Sequence, residues 1–353
     1  MSKLSSTSFD MYIKKNYTIR EILFLSGKHF TWLIPYVLVT AILYRYTWLR
    51  SFTIPWLPLS IIGTAVAFYV GFKNNQAYDR MWEGRIIWGG IVNSSRMWGS
   101  NLKAFLINAG SRIDEGDLLQ TKKVMIYRHI AWLYKLRSQL LEPASWEHLS
   151  LGGIYGKDAR QKMQNAGLGL FGEDITSIQL RKYLPAGEYE LLSSFKNAAA
   201  QMIDKQSQEL GRLRKDGLVS EFEHIHLQRI LNDFYDHQGK AERIKKTPFP
   251  RQFGSFGFIM ICLFIVILPF GFFSEFDKIG SYGIWLAVPF IIVISWVYVL
   301  MELVGDYSEN PFEGLANDVP MLSICRNIEI DLLQQLGETS LPEAIKPIKS
   351  VLM

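Results

Sequence analysis

Four side chains that could line an ion pathway repeat every four residues in one apolar segment. They are Ser60, Thr64, Phe68 and Phe72, so a helix would carry them as a single stripe. Two hydroxyl groups followed by two phenyl rings could line a narrow hydrophobic pore, which blocks ions when it loses its water. The alternative is a helix–helix contact, for which the small residues of the segment would matter more. The pattern alone leaves both interpretations open.

A glycine motif later in the chain matches a nucleotide-binding pattern. Gly167–Gly172 reads GLGLFG, which fits the dinucleotide fingerprint by spacing. That chemistry needs a buried strand before the glycines and a helix after them, so that backbone amides meet a pyrophosphate. Here polar residues precede the motif, and Glu173 and Asp174 would repel phosphate. A glycine-rich turn is the favoured interpretation.

A second cluster has the residue types of a metal site. It contains Glu221, Glu223, His224 and His226. The two histidines are two positions apart, so on a helix they point in divergent directions and cannot share one ion. A solvated helix surface is therefore favoured. With no catalytic constellation in view, we predict no metal, no cofactor and no enzymatic activity.

The apolar residues are concentrated in a few long segments. Charged residues make up 20% of the 353 positions, against about 25% in a typical soluble protein. Three segments have no charged residue over roughly the 20 positions that a membrane-spanning helix needs, and a fourth is shorter. In chain order the four segments are His29–Tyr44, Thr53–Phe72, Gln252–Ser274 and Ile279–Met301. They predict four transmembrane helices.

Basic residues flank these segments on one side and predict their orientation. Lysines and arginines precede the first segment, follow the second and precede the third, which places both termini and the middle of the chain in the cytoplasm. The middle shows helical periodicity over Gly116–Glu142, Gly187–Arg214 and Leu218–Arg243. The net charge of +5 is too small for a dedicated nucleic-acid binder. The predicted parts are an interfacial segment (1–28), two spans (29–73), a helical cytosolic domain (74–251), two spans (252–304) and a cytosolic tail (305–353).

Charged and aromatic residues cluster where the second and fourth segments end. The last segment is followed by Glu302 and Asp306, which could line a pore mouth or pair with the arginines Arg80 and Arg85. Pairing is favoured, because an unpaired charge near the hydrocarbon is costly.

These two junctions together resemble the bestrophin family of ion channels. The resemblance covers roughly Thr18 to Leu341 and is most specific in two blocks. The first block is Tyr78-Asp79-Arg80, Trp82-Glu83 and Arg85; the second is Asn310-Pro311-Phe312-Glu313, Asn317-Asp318-Val319-Pro320 and Cys325-Arg326 with Ile328-Glu329 and Leu332-Leu333.

The resemblance implies an all-α membrane protein that assembles as a homopentamer around one axial pore. The second span would form the neck of the pore, and alignment on the first block places Thr64, Phe68 and Phe72 there. Thr64 stands where the family usually has an aliphatic residue. A cytosolic aperture would lie on the helix after Asp216-Gly217, with Phe222 or Leu218 as its ring.

The sequence departs from eukaryotic bestrophins just after the Asn-Pro-Phe motif. Those members have an acidic run that clasps calcium, whereas this chain has Gly314-Leu315-Ala316-Asn317-Asp318. Calcium prefers six to eight oxygen ligands, so activation through such a clasp is not expected here.

We therefore predict a passive, multi-pass ion channel of a bacterial inner membrane, with small inorganic ions, lipid and copies of itself as partners. Chloride is favoured from the resemblance. A monovalent cation channel of the same fold and a non-conducting membrane scaffold or sensor remain as alternatives.

Overall fold

The structure is a computed structural model of the 353-residue chain. It describes residues 16–107, 114–150, 156–157, 175–315, 317–347 and 352. These residues form α-helices and short 3₁₀ turns without any β-strand, which confirms the predicted all-helical class for this part of the chain. The helices are α1 (Ile19–Ser26), α2 (Phe30–Tyr46), α3 (Trp56–Phe105), α4 (Glu115–Leu141), α5 (Ile175–Tyr183), α6 (Ala186–Ser193), α7 (Ala198–Lys215), α8 (Glu221–Lys246), α9 (Arg251–Asp277), α10 (Gly283–Asp306) and α11 (Met321–Gln335).

The described chain divides into two compact units. We call residues 16–80 and 248–309 the apolar unit, and residues 81–247 together with 310 onward the amphipathic unit. Helix α3 contributes its first part to the apolar unit and its second part to the amphipathic unit.

The apolar unit contains the helices of membrane-spanning character. Among the described residues, three helical stretches are long and apolar enough to cross a membrane: Trp56–Phe105, Glu221–Asp277 and Gly283–Asp306. In the second stretch the continuous apolar run lies in α9. Helix α2 has 17 residues and packs against α9 and α10 in the same hydrophobic cluster.

Aromatic contacts hold the apolar unit together. The ring of Tyr44 in α2 lies 5.3 Å from that of Phe273 in α9, and Phe264 lies 4.6 Å from Tyr298 in α10. Aromatic pairs at this separation contribute about 0.5–1.5 kcal/mol beyond the area they bury. They fix α2, α9 and α10 side by side.

Helix α3 does not end where its apolar segment ends. The predicted second span stops near Phe72, but the helix continues without interruption to Phe105, over 50 residues in all. Residues 73–105 contain no proline, so nothing removes a backbone donor or blocks the helical turn. The charged residues after Phe72 make the helix surface polar, but they do not end the helix.

The amphipathic unit is built around a cluster of large aromatic side chains. Trp98 of α3, Trp132 of α4 and Phe234 of α8 are fully buried, and the last two rings lie 5.0 Å apart. The segment with helical periodicity over Gly187–Arg214 forms two helices, α6 and α7. The Asn197 side chain accepts a hydrogen bond from the backbone N–H of Ala200 at 3.2 Å, which caps α7 and starts it as a separate helix.

The turn between α7 and α8 is defined by local chemistry. Gly217 has φ of +73°, a left-handed conformation that glycine adopts without a steric penalty. Ser220 and Glu223 then form a capping box in which each side chain accepts from the other residue's backbone N–H. This turn positions the first residues of α8.

Candidate ion pathway and membrane junction

The predicted pore stripe lies on one exposed side of α3. Phe68 is 69% exposed and Phe72 is 51% exposed, Thr64 is exposed, and Ser60 is half-buried. The two phenyl rings meet edge to face with centroids 4.6 Å apart. Val70, on another side of the helix, is completely buried. Within one copy of the chain, the stripe is therefore free to face water or further copies.

Glu302 has a different partner from the predicted one. The sequence suggested pairing with the arginines that follow the second span, but the Glu302 carboxylate forms an ion pair with the ammonium group of Lys73. Lys73 directly follows Phe72 and is 1% exposed. Asp306 is the last residue of α10.

The first junction block lies within α3. Glu83 forms an ion pair with Arg243 of α8, with Oε1 and Nη2 2.5 Å apart. The Trp82 side chain is 48% exposed, whereas Arg80 and Arg85 are half-buried. An exposed indole beside charged groups is typical of a residue at a membrane surface or in a contact between subunits.

The second junction block packs against the first at a glycine. A Cβ atom at Gly84 would lie 3.0 Å from Pro311 Cβ and 3.2 Å from Phe312 Cζ, so a larger residue would push the block away. Phe312 is 1% exposed and Asn310 is 6% exposed. The two blocks that carry the family resemblance are therefore neighbours in space.

The acidic residues after Phe312 have their own internal partners. Glu313 lies 3.0 Å from Nδ1 of His148 and accepts the backbone N–H of Leu149 at 3.2 Å. Asp318 Oδ2 accepts the backbone N–H groups of Gly314 and Leu315 at 2.8 and 2.9 Å. Burial raises the pKa of the Asp318 carboxyl well above its usual range, and the nearby charge of Glu313 reinforces the shift.

Sequence reasoning missed a buried ion pair close to this loop. Lys245 Nζ lies 2.6 Å from Glu147 Oε1, and both residues are at least nine-tenths buried. Burial raises the pKa of Glu147, although the lysine opposes the shift. The two residues lie 98 positions apart in the chain, so no local pattern could have paired them.

The sequence analysis also did not foresee that a residue of the second junction block is a buried carboxylate. Glu329 is completely buried and accepts hydrogen bonds from the hydroxyls of Tyr134 and Tyr183. Arg326, one helical turn earlier, lies 3.2 Å from it. The Arg326-x-x-Glu329 spacing is visible in the sequence, but it does not show that two tyrosines also donate hydrogen bonds to the Glu329 carboxylate.

The structure separates the two candidates for the cytosolic aperture. Phe222, in the first turn of α8, is 86% exposed. Leu218 is 8% exposed and belongs to the core of the amphipathic unit, because the turn at Gly217 directs it inward. Phe222 is therefore the better placed of the two candidates within one copy of the chain, and the identity of the aperture ring stays a prediction.

The remaining motifs contribute no site to the described structure. Glu221 pairs with Arg214 at 3.0 Å, and Glu223 caps the start of α8. Nδ2 of Asn101 lies 3.2 Å from Nε2 of His226. Over the described ranges, no group of three or more His, Cys, Asp or Glu side chains could hold a metal ion. Gly167–Gly172 lies outside the described residues.

Known proteins resemble this chain over most of its length. The sequence model of a family described as "Bacterial/Fungal Bestrophin protein" matches residues 15–334. The chain is 26% identical over 318 residues to the voltage-dependent anion channel-forming protein YneE of Escherichia coli K12, covering 89% of this chain and 88% of that protein. It is 23% identical over 281 residues to the voltage-dependent anion channel-forming protein mll4386 of Mesorhizobium japonicum, covering 80% and 75%.

The fold is also that of a solved structure. A crystal structure of a bacterial bestrophin homologue from Klebsiella pneumoniae superimposes with a TM-score of 0.70 at 20% identity, covering 92% of this chain and 100% of that chain. Since the family match spans most of the residues, including both junction blocks, this chain belongs to the bestrophin family.

Proposed function

We propose that this protein is a passive ion channel that conducts small anions, chloride first among them, along an axis surrounded by several copies of α3. The observation that carries the proposal is the stripe of Thr64, Phe68 and Phe72. Two large aromatic rings are exposed on a helix whose other side is buried. Facing copies of the same stripe would form a narrow apolar neck that ions cross only when it is hydrated.

The sign of the ion rests on the relatives. Their printed names specify anion channels, whereas the proposed neck carries no charge and cannot itself select by sign. We place Phe222 at a second, cytosolic ring, because it is exposed at the beginning of a helix.

The proposed topology has four spans per copy, from residues 29–73 and 252–304, with both termini on the cytosolic side of a bacterial inner membrane. Helix α2 has 17 residues, which is at the lower end of the range for a spanning helix, about 17–25. Its packing against α9 and α10 supports counting it as a span, and the flanking basic residues support the orientation.

The test is electrical recording from the purified full-length protein in a planar bilayer with unequal potassium chloride on the two sides. We expect discrete currents that reverse close to the chloride equilibrium potential. Reversal close to the potassium potential would identify a cation channel, and no current in repeated incorporations would favour a non-conducting scaffold.

A further inference from the structure

Helix α3 has a row of buried residues along one side, which we call the seam, and one of these residues is charged. Positions on this side recur at alternating spacings of four and three, the pattern of a helix packed along its length. All are buried: Leu59, Gly63, Val66, Val70, Lys73 and Ala77. Lys73 thus occupies a place where the other members of the seam are apolar or small.

Lys73 and Glu302 depend on each other. Lys73 is 1% exposed, and its ammonium group contacts Oε1 of Glu302 in α10. The other carboxylate oxygen of Glu302 has no hydrogen-bond partner among the described residues. Removing one partner would leave a single charge buried in apolar surroundings, which is far more costly than removing both.

Other polar contacts between α3 and α10 align with this pair. The Tyr298 hydroxyl donates to the backbone oxygen of Gly63 at 2.9 Å, and Asn74 Nδ2 donates to the backbone oxygen of Met301 at 3.0 Å. Gly305 makes the second contact possible, because a Cβ atom there would collide with Asn74. From Gly63 to Asn74 these contacts follow about 16 Å of helix, at 1.5 Å per residue.

We infer that the Lys73–Glu302 pair is a rotational lock that fixes α3 against α10 and thereby holds Phe68 and Phe72 toward the conduction pathway. Lys73 and Glu302 are positioning residues, since neither belongs to the exposed stripe. Without the pair, only the two neutral hydrogen bonds would resist rotation or sliding of α3, whereas a buried ion pair is satisfied in one register only. This inference rests on the proposed neck.

The lock predicts which positions of α3 meet water. In liposomes, a water-soluble methanethiosulfonate reagent should react rapidly with a Phe72→Cys variant and slowly with a Val70→Cys variant. The background carries Cys262→Ser, because Cys262 is exposed, while Cys325 is buried and can remain. Adding Lys73→Met should reduce the ratio of the two rates by about tenfold, since breaking a buried pair costs more than the 1.4 kcal/mol that a tenfold change represents.

Two further variants separate rotation from loss of folding. The exchange Lys73→Glu/Glu302→Lys keeps both charges and should restore most of the ratio, and Lys73→Arg should preserve it. A ratio that Lys73→Met leaves unchanged, in protein that still assembles, would overturn the lock while leaving the neck intact. A Phe72→Cys variant that is unreactive in the Cys262→Ser background with Lys73 intact would instead contradict the proposed neck, and the lock with it.

Discussion

His129 is a histidine that the fold keeps uncharged. It is completely buried, with Nε2 2.9 Å from the Ser95 hydroxyl and its ring stacked 5.1 Å from that of Trp132. Burial lowers its pKa from 6.5 to about 3. Between these values the unfolded chain binds a proton at this residue and the folded chain does not, so acid favours unfolding over that range.

We therefore expect the thermal stability of the detergent-solubilised protein to fall as the pH decreases from about 6.5 toward 3. The contribution of this residue is about 1.4 kcal/mol per pH unit. A His129→Gln variant has no proton to bind, so its melting temperature should start lower and decline less steeply. Parallel declines for the two proteins would contradict the assignment.

Phe222 and Leu218 are close in sequence, but Phe222 is exposed and Leu218 is buried. We therefore expect a substitution at Phe222 to affect conduction and one at Leu218 to affect stability. Phe222→Ala removes an exposed ring and should alter unitary current or ion preference with little change in melting temperature. Leu218→Ala leaves a cavity in the core and should destabilise the fold by about 2–5 kcal/mol. Recording and thermal melting of both variants provide the check. If Phe222→Ala conducts like the parent, the cytosolic ring lies elsewhere.

In the loop after α10, protein groups hold two carboxylates in place. The Glu313 carboxylate is hydrogen-bonded to His148 and to the Leu149 amide. The Asp318 carboxylate accepts hydrogen bonds from two backbone amides of its own loop. Gly314 has φ of +89°, which lets the loop turn back on Asp318. Calcium would have to displace these contacts to gather its six to eight oxygens.

We expect the channel to be insensitive to calcium through this loop. Chloride flux from liposomes should be equal with a chelator and with micromolar calcium, and Asp318→Asn should not create a difference between the two. A steep, saturable increase of flux with calcium would contradict this prediction.

The sequence revealed the apolar segments, the stripe on α3 and the two junction blocks, because each depends on composition or on helical periodicity. The end of α3 could not be predicted from the sequence. The charged residues after Phe72 indicate a change from lipid to water around the helix, and no proline follows that would end it. Lys73 looked like a flanking charge. Its partner Glu302 lies 229 residues away, and pairings at that separation arise only from the packing of α3 on α10.

The inward direction of Leu218 was equally hidden. Whether it or Phe222 faces out depends on the left-handed Gly217 and on where α8 begins, and a shift of one residue rotates a helix face by about 100°. The contacts of Glu147 with Lys245 and of Glu329 with Tyr183 were missed for the same reason as the Lys73–Glu302 pair, because the partners are distant in the chain.

One stripe on one helix cannot enclose a pore. Several copies must surround an axis, and closed rings are the common solution for identical subunits. The number five comes from the family resemblance. Native mass spectrometry in mild detergent and in nanodiscs should show five times the mass of one chain. A monomer or dimer under both conditions would count against an axial pore.

Unitary conductance tests whether ions pass along the stripe of α3. If Phe68 and Phe72 form the hydrophobic neck, replacing both by alanine widens and wets the constriction, so conductance or open probability should rise while the oligomer stays assembled. The control Val70→Ala alters a buried residue, so it should reduce the yield of assembled protein and leave unitary conductance unchanged. A Phe68→Ala/Phe72→Ala channel that assembles normally and conducts and gates like the parent would show that the pathway follows another helix.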